Sequence, residues 1–273
     1  MLAGADAATA LRLAASMACL QASIGTVNDL VDAPLDTVSK PGKPLVAGHL
    51  PRSVARAWAG LTLVLGLILA APSGLGTVGV AAVGVGLGYA YDVRLSRTAL
   101  SWLPLSVALP LVPIFAWLGS TGAVPPGLAA LVPVAVLAGG ALMVGNALVD
   151  VERDAPAGKG TVVVRFGPRR TWLAHALALA VAVALALALA PGGEAGAAAG
   201  GGGTRPAIPL LAQARTFGVP FGSAMIAVGA WLLTWARASV REHGWELEAV
   251  GTAVLGLGWL AGTAAEAGIR VGS

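Results

Sequence analysis

The chain has 273 residues, of which 57% are hydrophobic and only 11% charged, with a mean hydropathy of +0.82. A soluble domain carries about 25% charged residues, so the composition excludes a soluble globular protein and predicts an integral membrane one. The net charge of +4 does not indicate a nucleic-acid partner, because the basic residues are spread over short loops between apolar runs, as topology determinants are.

The lone cysteine, Cys19, excludes an intramolecular disulfide. The histidines His49, His175 and His243 lack metal-ligand spacing, which speaks against zinc. A cleavable signal peptide is not expected: no basic segment precedes the first apolar run, and cleavage after it would fall on Asp29.

Hydropathy divides the chain into about eight segments, each near the roughly 20 residues a bilayer requires. They lie near 7–28, 53–71, 75–92, 100–119, 125–149, 171–190, 217–236 and 247–266. The expected fold is all-α, a polytopic transmembrane helical bundle of about eight spans forming one domain over residues 1–273.

The first span runs into Asn28-Asp29-Leu30-Val31-Asp32-Ala33-Pro34-Leu35-Asp36. Asp29, Asp32 and Asp36 are spaced for one helical face. Pro34 removes a backbone hydrogen bond, so the helix is expected to end or kink there, with Asp36 reaching in from the turn. The basic stretch Lys40-Pro41-Gly42-Lys43-Pro44-Leu45-Val46-Ala47-Gly48 follows. The third span ends in Tyr91-Asp92-Val93-Arg94-Leu95-Ser96-Arg97-Thr98, where Asp92 is expected to be solvated.

Trp102 and Trp117, at opposite ends of the fourth span, read as interfacial anchors, as do Trp172, Trp235 and Trp245. The fifth span ends in Asp150-Val151-Glu152-Arg153-Asp154, with Asp150 and Asp154 again four apart and Glu152 pointing away. Residues 191–206 form a Gly-rich connector without chemistry. Long Ala/Leu/Val/Gly runs such as 176–190 fit helices packed closely through small side chains.

The loops at 29–52, 93–99, 150–170 and 237–246, with their flanks, hold 13 of the 17 basic residues. Alternating spans put all four loops on one face, which the positive-inside rule makes cytoplasmic. The two acidic clusters share that face and contain six of the 13 acidic residues. Carboxylates crowded at the edge of a lipid-embedded bundle repel one another unless a cation lies between them. Mg²⁺ is the natural candidate, because it takes oxygen ligands and shares them with substrate phosphates.

The pattern N-D-x-x-D-x-x-x-D followed by a distant D-x-x-x-D resembles the signature of the UbiA superfamily of intramembrane prenyltransferases. The likeness extends to Lys40–Gly48 (family K-P-x-R-P-(L/I)-x-x-G, with Lys43 for the usual Arg). It continues in Tyr91–Thr98 (Y-x-x-x-L-K-x-T, with Ser96 for Lys), Gly158-Lys159-Gly160-Thr161 and Arg165-Phe166-Gly167. It covers residues from about 20 to 175; the last two spans agree in number and hydrophobicity alone. The family usually has nine spans, one of them wholly before the first motif. Only 27 residues precede Asn28 here, so that helix is expected to be missing.

The resemblance implies transfer of a prenyl group from a prenyl diphosphate to an aromatic, quinone-precursor or lipid acceptor in the membrane. It assigns Mg²⁺ to Asp29, Asp32, Asp36, Asp150 and Asp154, with Asn28 assisting. Lys43, Lys159, Arg94 and Arg97 would neutralise the diphosphate, and Tyr91 would orient a phosphate or face the allylic cation. A membrane terpene cyclase shares this ionisation chemistry. A CDP-alcohol phosphotransferase is disfavoured because its D-G-x-x-A-R opening is absent. An ion transporter is disfavoured because its acids would lie at mid-membrane.

Overall fold

The first helix starts where Asp6 caps it, its carboxylate accepting the Thr9 amide at 2.9 Å. In the computed structural model, which describes residues 5–190 and 209–266, helices are the regular structure and no strand occurs among the described residues. Eight long helices correspond to the expected spans: α1 (Ala7–Ser39), α2 (Arg52–Ala70), α3 (Leu75–Val93), α4 (Leu103–Thr121) and α5 (Pro126–Val149), then, beyond two short helices, α8 (Pro168–Leu189), α9 (Pro209–Leu232) and α10 (Ala238–Glu266). The short helices α6 (Val151–Asp154) and α7 (Val162–Phe166) lie between α5 and α8.

Six of the long helices, α1, α2, α4, α5, α8 and α10, are long and apolar enough to cross a bilayer. The hydropathy of α3 is diluted by glycines and by its Tyr91-Asp92 ending. The apolar part of α9 is the shorter stretch Thr216–Leu232. The expected connector at 191–206 lies outside the described residues.

One expectation is corrected at Pro34. The helix neither stops there nor hands Asp36 to a turn: α1 continues through Pro34 to Ser39, and Asp36 stays helical. The Thr37 hydroxyl donates to the Pro34 carbonyl at 2.8 Å, and the Lys40 amide closes the end on the Asp36 carbonyl. At about 1.5 Å per residue, α1 is longer than the roughly 30 Å hydrocarbon layer, so its acidic turns stand at the membrane edge.

Small residues let the helices approach. Ser16 and Ser23 on α1 donate across to the carbonyls of Gly66 and Ala59 on α2, each at 2.7 Å. Along α9 and α10 the glycines interlock, so that a β-carbon at Gly222 would meet the Gly251 carbonyl at 2.5 Å, and one at Gly229 the Gly244 carbonyl at 2.5 Å. Such backbone contact suits helix association in lipid, where apolar side chains gain little by leaving the solvent.

Trp117 corrects another expectation. It is 4% exposed, packed in the core with Leu128, Leu179 and Trp259. Its place near a span end marks depth along the chain, whereas its helical face points inward. Trp172 and Trp245 join helices as well, donating their indole N–H to the Ala230 and Leu142 carbonyls at 2.9 Å. Trp235 stands exposed.

A buried polar pair ties α8 to α10. His175 Nε2 lies 2.9 Å from Glu248 Oε1, and His175 Nδ1 lies 2.9 Å from the Ala141 carbonyl on α5. Both side chains are fully buried. Gly145 makes room, since a β-carbon there would lie 3.1 Å from Glu248 Oε2 and 3.2 Å from the imidazole.

Candidate functional site

One end of the bundle gathers four segments: the last turns of α1 with the loop after it, the end of α3 with the turn after it, the end of α5 with α6, and the loop from α6 to α7. The segments are tied directly, since the Gly160 amide donates to the Arg97 carbonyl at 2.9 Å. Charge coupling places the two acidic clusters around the end of α3. The Tyr91 hydroxyl lies in the field of Asp92, Asp154, Asp32 and Asp150. Asp150 in turn lies in the field of Lys40, at the end of α1.

Each carboxylate faces a cation. Lys43 Nζ bridges two turns of α1, 2.6 Å from Asp29 Oδ1 and 2.7 Å from Asp36 Oδ2. Burial pulls the Lys43 ammonium down, but the two carboxylates outweigh it and hold its pKa above the ordinary lysine value. Arg97 NH2 stands 3.9 Å from Asp32 Oδ1. Lys159 Nζ is 2.8 Å from Asp154 Oδ1, and Arg153 pairs with Asp150. Desolvation pushes the Asp150 carboxyl above the usual range and Asp154 adds to the rise, whereas Arg153, Lys159 and Lys40 oppose it.

The remaining expected residues divide. Tyr91 is half-buried at the centre of this charge. Asn28 turns its amide to Asp92, donating from Nδ2 to Oδ1 at 3.0 Å. Arg94 caps α3, is exposed, and forms no ion pair among the described residues. Glu152 does point away from the cluster, but to a partner: both its oxygens accept from Arg241 at 2.6 Å.

Asp92 corrects the sequence reading. It is buried at 3% exposure, one oxygen held by Asn28 and the other, Oδ2, without a hydrogen-bond partner. The available signal was its position: an acid in the last turn of a span, four residues before the Ser96 that departs from the family pattern. Ser96 Oγ is 3.5 Å from the Asp92 carbonyl.

Below the charged layer, an apolar cavity of about 100 Å³ lies among α1, α3 and α4. Ile24, one turn below Asn28, and Val85 stand near its upper part, and Leu105 and Phe115 mark its extent along α4. Gly88 packs closely on Ile24, since a β-carbon there would lie 2.8 Å from that side chain. The arrangement sets a polyanionic, cation-lined layer above an apolar interior.

The profile of the UbiA prenyltransferase family matches residues 2–243. The chain therefore belongs to the UbiA prenyltransferase family. It is 29% identical over 172 residues to a digeranylgeranylglyceryl phosphate synthase from Methanoregula boonei, an alignment spanning 60% of this chain and 59% of that protein. The chain thus matches less than two thirds of that relative's length. Among solved structures, the apo UbiA homolog from Aeropyrum pernix K1 superposes with a TM-score of 0.69 at 19% identity, covering 94% of this chain and 91% of that one. A UbiA homolog from Archaeoglobus fulgidus bound to GPP and Mg²⁺ superposes with a TM-score of 0.65 at 20% identity, covering 93% and 88%. At these identities the structural likeness establishes the fold.

Proposed function

We propose that the protein transfers a prenyl group from a prenyl diphosphate to an acceptor dissolved in the membrane, with Mg²⁺ as cofactor and the acidic face toward the cytoplasm. The observation that carries this reading is the meeting of two acidic clusters from distant parts of the chain, each interleaved with basic residues, above an apolar cavity. The name of the Methanoregula relative favours a lipid glyceryl phosphate as acceptor over an aromatic one.

The residues suit a hard divalent cation. The donors Asp29, Asp32, Asp36, Asp150 and Asp154 are all carboxylates, and buried Asp92 keeps an unsatisfied oxygen beside them. Among the described residues no three acidic, histidine or cysteine side chains converge tightly enough to hold an ion alone. Mg²⁺ usually completes its shell with water and substrate phosphate, so these carboxylates would not need to hold it alone. When bound, Mg²⁺ would tether the diphosphate to the carboxylates and stabilise the charge of the leaving group.

The chain supplies the rest. Lys43, Lys159 and Arg97 can each move from a carboxylate to a phosphate oxygen, keeping charge paired as the substrate enters. Tyr91 directs its hydroxyl or ring toward the substrate. The apolar walls from Ile24 to Phe115 would take the part of the isoprenoid tail that about 100 Å³ can hold, and exclude the water that would quench an allylic cation. The whole of residues 1–273 would act as one catalytic unit.

Two expectations distinguish the basic residues. Arg97→Gln should lower kcat more than it raises KM, by about 10²-fold, since a cation aimed at the leaving group acts mainly in the transition state. Arg94→Gln, which breaks no ion pair in the resting site, should remain near the parental rate. Steady-state assays at saturating prenyl diphosphate check both; equal losses in the two variants would remove the distinction.

A further expectation concerns pH. A carboxylate must be ionised to bind metal, and burial already raises Asp150 while Arg153 restrains it. Arg153→Gln should therefore move the acid limb of the pH–rate profile to higher pH, because the cation that favours ionisation is gone. An unchanged acid limb would dissociate Asp150 from the rate.

The overall test is product analysis by mass spectrometry, using membranes supplied with prenyl diphosphates and a panel of lipid and aromatic acceptors. Acceptor-dependent prenylated product supports the reading. A cyclised hydrocarbon formed from prenyl diphosphate alone would assign the site to a terpene cyclase.

A further inference from the structure

A second and larger cavity, about 480 Å³, opens on a different side of α5 from the acidic site. Its floor is the α5 stripe that includes Gly140 and Val144; Trp102, just before α4, and Ser106 of α4 form one wall, and Ala174 and Ala178 of α8 the other. Asp150, six residues beyond Val144, falls about 120° around the helix axis from this stripe. Phe166, 57% exposed, lines the groove at its surface, so the groove faces the region where lipid tails would lie.

The groove is not uniformly apolar. Arg170 lines it at the end nearest the acidic face, with Arg165 and Arg169 beside it in sequence. All three arginines are exposed and lack an ion-pair partner among the described residues. The nearest acids in sequence, Asp154 and Glu152, are taken by Lys159 and Arg241. Farther in, Ser106 is 2% exposed, lines the groove, and its hydroxyl has no hydrogen-bond partner among the described residues. Ser106 faces Gly140, where a β-carbon would lie 2.5 Å from Oγ. It sits beside Ala141, whose carbonyl meets His175. His175 is five residues along α8 from Arg170, about 7.5 Å of helix rise.

We propose that this groove binds one anionic diacyl phospholipid of the surrounding bilayer. The phosphate head is held by Arg170, with Arg165 and Arg169 adding positive charge nearby in sequence, an ester carbonyl accepts from the Ser106 hydroxyl, and an acyl chain lies along α5 against Ala174 and Ala178. Charge selects the occupant: cationic pockets between helices on a cytoplasmic face attract anionic lipid heads, and the Ser106 hydroxyl offers a donor farther into the same groove. The volume lies within the roughly 300–1,000 Å³ of ordinary ligand pockets. The site is separate from the acidic one and does not depend on the transfer reaction.

The test reconstitutes the full chain in nanodiscs of phosphatidylcholine, alone or with phosphatidylglycerol, followed by native mass spectrometry after gentle detergent release. The parental protein should retain one phosphatidylglycerol and no phosphatidylcholine. Arg169→Gln with Arg170→Gln should reduce retention about tenfold or more, in line with two lost surface cations. Ala174→Phe, which fills the groove and leaves the arginines in place, should reduce it as well. Circular dichroism checks that each variant is folded, and Ser106→Ala gives a milder variant should either fail. Equal retention of the two lipids, or phosphatidylglycerol kept by both groove variants, overturns the proposal. A stabilisation by inorganic phosphate equal to that of the lipid would reduce the site to a head-group contact and also overturn it. So would a dimer in place of bound lipid, or a raised KM for the acceptor in Ala174→Phe, which would make the groove a substrate site.

Discussion

Asp154→Ala should abolish Mg²⁺-dependent turnover, with a loss of at least about 10²–10³-fold, while the protein still inserts and folds. Asp154 is buried, bonded to Lys159 at 2.8 Å, and its charge reaches Tyr91. Removing one acid from a crowded set relieves repulsion, and Lys159, already part-exposed, can turn to water. Stability should therefore hold as activity falls. Asp32→Ala should behave alike, because Arg97 at 3.9 Å is a loose partner that loses little. The measurement is product formation at limiting Mg²⁺ beside thermal unfolding in detergent. Near-parental turnover in either variant would take that carboxylate out of the metal set.

Glu248→Ala should have the opposite profile. The carboxylate is fully buried, its Oε1 held by His175 and its Oε2 unpartnered. Truncating one member of a buried hydrogen-bonded pair leaves the other unsatisfied, at a cost of about 1–3 kcal/mol. Glu248→Gln, which preserves shape and one hydrogen bond, should lose much less. Thermal unfolding midpoints for the two variants decide the matter; equal and small shifts would mean that the pair contributes little. Activity per folded molecule should change far less than in Asp154→Ala.

The span pattern and the two acidic motifs were legible because each is carried by neighbouring residues. Hydropathy accumulates over a window, and the spacing of Asp29, Asp32 and Asp36 defines one helical face whether or not the helix bends. Pro34 shows the limit of a local rule: the helix continues through a lost hydrogen bond, with the Thr37 hydroxyl as an added local bond. Trp117 shows another, since depth along a span does not reveal which neighbour a face will meet. Asp92 and the His175–Glu248 pair depend on contacts across more than 60 residues, and the sequence reading missed both. A signal for the pair did exist: ionisable side chains inside apolar runs call for partners in the bundle.

The position of Glu248 also bears on how the chain is assembled. A translocon reads helices in order of synthesis, and an acid such as Asp at the centre of a membrane helix raises the cost of insertion by about 2.5–3.5 kcal/mol. The partner that offsets this burden, His175, belongs to α8, and the carbonyl that orients it belongs to α5. Both precede α10 in the chain, so the receptor for Glu248 can already be in the membrane when the last helix emerges. Shortening the chain before Glu248 would leave His175 without its acid, whereas moving α10 ahead of α8 would send the acid into lipid first. Gene order, in this protein, doubles as an assembly schedule.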